Sequence, residues 1–169
     1  ISDLSRWLGG YSKLVRAMPN TPALIGAGMT GMLAHPDVSE AERLGADRVL
    51  QAVGDTIWVT EEAQIDAVTA ISGSGPAYVF LFIEALQQAA TELGFSDKQA
   101  RRLSIETVLG AAKLAAQSDE PASTLRERVT SKGGTTEAAL RVMAEHKVKE
   151  GIMAGALAAN ARSAQLGEL

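Results

Sequence analysis

The sequence predicts a mainly α chain in which a short α/β region precedes a long all-helical one. Three observations carry this. Residues 13–60 hold three short apolar or β-branched runs, each stopped by Gly, Pro or a polar turn. The remainder of the chain is helical in pattern, with apolar residues at three- and four-residue spacing between serine and glycine punctuation. At 169 residues with 46% apolar composition, the chain can build the core of one domain or one and a fraction.

Taken in order, Ser2 to Leu8 reads as a short helical turn ended by Gly9 and Gly10. Lys13 to Met18 reads as a strand, because Leu14, Val15 and Ala17 form an apolar run stopped by Pro19. Met18-Pro19-Asn20-Thr21-Pro22 continues neither helix nor ladder, since each proline lacks a donor, so it is a loop at a strand end. Ala27 to Ala34 is a second strand, and Asp37 to Val53 a helix in which Ser39 and Glu42 form a capping box. Thr56 to Thr60 alternates as a third strand should. Residues 1–62 thus read as a short α/β region, residues 63–169 as a helical domain, with the boundary within Glu61 to Gln64.

In the helical part, Ile65 to Ile71 leads into a Ser/Gly turn, and Pro76 opens a helix running to Leu93. Its first half is apolar nearly all round: Tyr78, Val79, Phe80, Leu81, Phe82 and Ile83 cannot all face the core of one small domain. A second copy of the chain is the expected cover, since apolar burial is worth roughly 25 cal/mol per Å². Ser96 caps the next helix, which runs to Gln117 with Leu103, Thr107, Ala111, Leu114 and Ala115 on one face. Ser118 to Pro121 is an acidic break, Ser123 to Ser131 another short helix, and Glu137 to His146 and Lys147 to Leu166 are the last two.

Charge and composition exclude several classes. With 16 Lys plus Arg against 20 Asp plus Glu the net charge is −4 and the basic residues are dispersed, so nucleic acid is not an expected partner. No cysteine is present, which rules out a disulfide framework or thiolate metal site; His35 and His146 each stand alone, so no metal is expected. The longest apolar run, Ala77 to Ile83, is too short to span a bilayer, no signal-peptide pattern is visible, and a cytoplasmic location without membrane partner is the default.

The residues that carry chemistry lie around Val129-Thr130-Ser131-Lys132-Gly133-Gly134-Thr135-Thr136. Two glycines allow a tight turn, and the threonines then stand where a helix N-cap is wanted. The unpaired N–H groups at the positive end of a helix suit a carboxylate or phosphate, although the same string also serves as a plain helix stop and start. Together with Ser72-Gly73-Ser74-Gly75-Pro76-Ala77-Tyr78 and Arg16-Ala17-Met18-Pro19-Asn20-Thr21-Pro22, the chain resembles the pyrroline-5-carboxylate reductases, which make proline by NAD(P)H-dependent reduction of a cyclic imine. Ala144 departs from the family signature, which usually has a polar residue after Met143.

The resemblance implies an all-helical dimerisation domain preceded by the last strands and helix of a Rossmann-type domain. No Gly-x-Gly-x-x-Gly follows a strand pattern and the chain starts at Ile1, so it reads as the C-terminal part of such an enzyme, expected to be inactive alone. By resemblance Met18, Pro19 and Asn20 lie near the nicotinamide of NADPH or NADH. Thr136 contacts the substrate amine and is a candidate proton donor, Gly134 and Thr135 hold its carboxylate, and Glu120 is an acidic contact. Reducing a C=N bond needs a hydride donor, a fixed substrate plane and a proton at nitrogen, so the protein's share is positioning and polarisation. The N–H groups of Gly133, Gly134, Thr135 and Thr136 would grip the carboxylate, and the hydroxyl of Ser131 or Thr136 the ring nitrogen; a water or an already protonated iminium is the alternative proton source. Arg128 and Lys132 either raise the local anion concentration or are ordinary surface charges.

Two other classes compete. Hydroxyacid dehydrogenases with a helical domain use a lysine on the central helix, and between Arg48 and Lys98 this chain has no Lys, Arg or His. A non-enzymatic helical dimerisation module accounts for the apolar helix but leaves the Ser-Lys-Gly-Gly-Thr-Thr and Ser-Gly-Ser-Gly-Pro strings unexplained.

Overall fold

In the computed structural model, which describes residues 1–167, the chain divides into two compact units: residues 1–77 with those from 154 on, and residues 78–153. The first opens with helix α1 (Ser2–Trp7) and strand β1 (Val15–Met18). Strand β2 (Gly28–Ala34) pairs antiparallel with β1, setting Met18 opposite Gly31. Helix α2 (Glu40–Gln51) crosses to strand β3 (Gly54–Val59), which runs parallel to β2, a pairing that requires such a crossover. The order is β1-β2-β3, and the central strand accordingly buries Thr30, Met32 and Leu33.

Local chemistry sets the ends of these elements. Ser39 and Glu42 form the expected capping box on α2, the Glu42 carboxylate accepting the Ser39 N–H at 2.8 Å. The proline-rich segment is tighter than an open loop: Thr21–Ile25 is a 3₁₀ turn with Pro22 in its first turn, where a missing N–H is harmless. Gly26, Gly28 and Gly31 have the spacing of a dinucleotide fingerprint, but the string enters strand β2 instead of opening a helix, so it lacks the strand-turn-helix setting that chemistry needs.

Helix α3 (Glu62–Val68) places Val68 against Gly31 of β2 and buries Ile65. The Ser/Gly turn expected after it is not a turn. Thr69–Gly73 forms a π-helical turn, with the Ser74 N–H on the Thr69 carbonyl at 2.8 Å, and helix α4 (Gly75–Glu92) comes next. The physical reason is Pro76, which has no N–H for the carbonyl of Ser72, so the regular ladder cannot pass this point. From Glu62 to Glu92 the helical stretch is long and apolar enough to cross a membrane by length and composition alone. The far end of helix α8 (Val148–Gly167) returns to this unit, its Ser163 hydroxyl donating to Asp66 at 2.6 Å.

The second unit holds most of α4, helix α5 (Asp97–Ala116), helix α6 (Ala122–Arg128), helix α7 (Thr135–Glu145) and the start of α8. Ser96 and Gln99 box the start of α5. Ala100 and Ser104 are buried, whereas Phe80 is 64% and Leu81 66% exposed, as the apolar-all-round pattern requires of a chain taken alone. Helix α6 stops at Arg128 and so excludes Ser131, the Thr130 hydroxyl turning back to the Arg126 carbonyl at 2.6 Å.

Candidate functional site

Two clusters hold the residues that the sequence singles out, one in each unit. In the first unit, β1 delivers Met18 to the strand end, and Pro19 and Asn20 come directly after it. The Asn20 amide is engaged at both ends. Its Nδ2 donates to the Ser72 carbonyl at 3.2 Å and to Ser72 Oγ at 3.1 Å, while its Oδ1 accepts the Met29 N–H at 2.9 Å. Ser72 Oγ in turn donates to the Met29 carbonyl at 3.3 Å. Beside this network Gly73 meets Met18: a Cβ there would lie 2.8 Å from Met18 Cε, so the flexible end of the methionine would have to shift for any larger residue. Met18 and Asn20 are half-buried and Pro19 is exposed, leaving an apolar and backbone surface at the strand end.

The glycine turn lies in the second unit, between α6 and α7. Gly133 has φ +74, a left-handed conformation that favours glycine. The threonines do not cap α7. Gly134 is the N-cap residue, and Thr135 and Thr136 are the first two helical residues. Glu137 instead closes the turn ahead of the helix: its Oε2 accepts the Gly133 N–H at 2.6 Å, and the Gly134 N–H donates to the Ser131 carbonyl at 3.0 Å, while no side chain caps α7 itself. The N–H groups of Thr135 and Thr136 stand at the helix start, where no carbonyl lies a turn back within the helix to receive them. An anion approaching along the axis meets these two donors and the positive end of the dipole.

Glu120 is tied down rather than free. Arg128 grips its carboxylate with both ends of the guanidinium, at 2.5 and 2.6 Å, which holds the acidic break against the end of α6, three residues before Ser131. Lys132 is exposed, as are Ser131, Gly133 and Thr135, while Thr136 and Gly134 are half-buried. A groove of about 620 Å³ with Leu140, Met143, Val148, Ile152 and Met153 in its wall and Arg126, Glu127, Lys149 and Glu150 beside them does not include Gly133 or Gly134. Among the described residues no group of three or more His, Asp or Glu is placed to hold a metal ion.

Ser72 and Glu137 have parts in these clusters that their motifs alone do not assign. Ser72 has a signal: the proline four residues on leaves its carbonyl without a helical donor, which calls for a partner from elsewhere.

Comparison with known proteins gives a consistent picture. Residues 62–166 match the family model described as pyrroline-5-carboxylate reductase dimerisation. The pyrroline-5-carboxylate reductase of Pseudomonas aeruginosa is 46% identical over 167 residues, covering 99% of this chain and 61% of that protein. The structure of the Coxiella burnetii pyrroline-5-carboxylate reductase superposes with a TM-score of 0.93 at 44% identity, covering 98% of this chain and 62% of the other. The Plasmodium falciparum pyrroline carboxylate reductase, crystallised with NADP bound, gives 0.89 at 31% identity over 99% of this chain and 67% of its own. The chain spans about 61% of the length of the Pseudomonas relative.

Proposed function

The chain belongs to the pyrroline-5-carboxylate reductase family, and from that premise we propose that it works as part of an enzyme reducing 1-pyrroline-5-carboxylate to L-proline with NADPH or NADH. The observation that carries the reading is the start of α7, where two N–H donors stand at the positive end of a helix beside two threonine hydroxyls. The substrate carboxylate is held by the N–H groups of Thr135 and Thr136, with Gly133 and Gly134 shaping the turn that presents them. The hydroxyl of Thr136 or Ser131 faces the ring nitrogen, polarising the C=N bond or relaying a proton to it. Glu120, kept in place by Arg128, is the acidic residue near the substrate.

A nicotinamide cofactor supplies the hydride when bound. The strand end suits such a ring: Met18 and Pro19 are apolar, and the amide of Asn20 is satisfied within the protein, so the segment offers apolar and backbone surface rather than charge. This reading divides the chain into the end of a Rossmann-type domain at 1–62 and a helical domain at 63–169, with the activity belonging to the whole enzyme. The exposed apolar face of α4, with Phe80 and Leu81, is covered by a second copy in a homodimer or higher homo-oligomer. The same pairing accounts for the apolar length of Glu62–Glu92 without a membrane.

The test is NADPH oxidation by the full-length enzyme with pyrroline-5-carboxylate, comparing wild type with Thr136→Ala. Loss of at least tenfold in kcat/KM by a folded, dimeric variant supports both reaction and site, a change of about 1.4 kcal/mol in transition-state stabilisation. Full activity in the variant keeps the reaction and removes the site. A folded wild type that binds NADPH without turnover leaves the helical assembly module as the better reading.

A further inference from the structure

We infer that Asn20 is a positioning residue: it acts through Ser72 to set the strand end against the π-helical turn, and its side chain does not touch the cofactor. The inference rests on the reductase reading for its kinetic readout, and on geometry alone for its structural one. The Met29 N–H can only donate, which fixes the Oδ1 end of the Asn20 amide and turns Nδ2 towards Ser72. Both ends of the amide then point inward, to partners 9 and 52 residues away in the chain.

The cause lies in Pro76. In a regular helix the Ser72 carbonyl would receive the N–H of residue 76, and proline has none. A half-buried carbonyl without a donor is unfavourable, and Asn20 supplies the donor from the sheet. The pairing of Asn20 with Pro76 is therefore indirect: one residue repairs what the other removes. Its effect is to clamp the strand end at two adjacent points, Asn20 on Ser72 and Met18 on Gly73. A loop so held presents Pro19 and its own backbone in one fixed arrangement, and hydride transfer depends steeply on such placement.

The experiment is a double-mutant cycle in the full-length enzyme: wild type, Asn20→Ala, Pro76→Ala and the double variant, each measured for kcat, KM for NADPH and thermal midpoint. Asn20→Ala is expected to lower kcat on the order of tenfold with KM for NADPH changed less than about threefold. In the Pro76→Ala background the same change costs less than about threefold in kcat and shifts the midpoint less, because a backbone N–H at residue 76 now serves the Ser72 carbonyl. Asn20→Asp, which keeps the acceptor for Met29 and loses the donor to Ser72, should reproduce the kcat loss if the alanine variant fails to fold. A rise in KM for NADPH with kcat retained, equal in both backgrounds, overturns the inference and makes Asn20 a cofactor contact. If wild type has no turnover, the reductase reading fails, and the thermal cycle still decides: coupling between residues 20 and 76 supports the clamp, additivity overturns it.

Discussion

The N–H of Gly133 donates to the carboxylate of Glu137 at 2.6 Å, so the glycine turn is closed by an acidic side chain from the first turn of the helix it introduces. Such reach-back bonds at a helix start are worth on the order of 1 kcal/mol. Glu137→Ala is expected to lower the thermal midpoint by a few degrees and to speed amide exchange at Gly133, whereas Glu137→Gln keeps most of the protection. Unchanged exchange at Gly133 in the alanine variant would show that the bond does not hold the turn in solution.

Arg128 and Glu120 form the second tie near this turn, with side chains 65% and 35% exposed. Exposed pairs of this kind typically couple by only about 0.2–1 kcal/mol. A double-mutant cycle with Arg128→Ala and Glu120→Gln should return a coupling in that range that fades in concentrated salt. Salt-independent coupling would mean that the pair is more shielded from water than its exposure indicates.

Glu42 gives a pH signature. The hydrogen bond from Lys13, at 2.6 Å, together with those from Ser39, pulls its carboxyl down from 4.5 to about 2. A carboxylate lowered on folding contributes stability that is complete above 4.5 and is lost as the pH falls towards 2. Lys13 is raised above 10.5 by the same bond, so its contribution is complete below that value and lost on the alkaline side. The gap in thermal midpoint between wild type and Glu42→Gln should be flat through the neutral range and narrow in acid. A gap that widens in acid contradicts this assignment.

Phe80 and Leu81 test the assembly. Both are more than 60% exposed in the single chain, on the helix matched to the family's dimerisation domain. Burying the pair removes large apolar side chains from water, worth roughly 1.5–3 kcal/mol each. Phe80→Glu with Leu81→Glu should shift sedimentation of the full-length protein from dimer towards monomer; a dimer that survives both charges would place the interface on another face.

The features legible in the sequence are the local ones. Ser39 with Glu42, and Ser96 alone, announce their helices, and both helices start in a capping box, Gln99 being the partner that completes the second. The apolar surplus of α4 needs only the helical period to be noticed. The start of α7 differs from expectation because two threonines there look sufficient as caps, while both are helical residues and Glu137 closes the preceding turn at Gly133. The π-helical turn is hidden for a different reason: Ser and Gly signal a break, and the residue that stabilises the turn, Asn20, is 52 positions upstream of Ser72. Contacts at that separation have no periodicity to betray them.

The bond from Ser163 to Asp66 spans 97 residues of chain. The length-dependent part of closing a loop of that size amounts to about 4 kcal/mol of entropy, which neighbouring contacts must offset before the bond forms. The whole of residues 78–153 is synthesised between the two halves of the first unit. During translation the returning segment of α8 therefore reaches Asp66 only after residues 78–153 have been made.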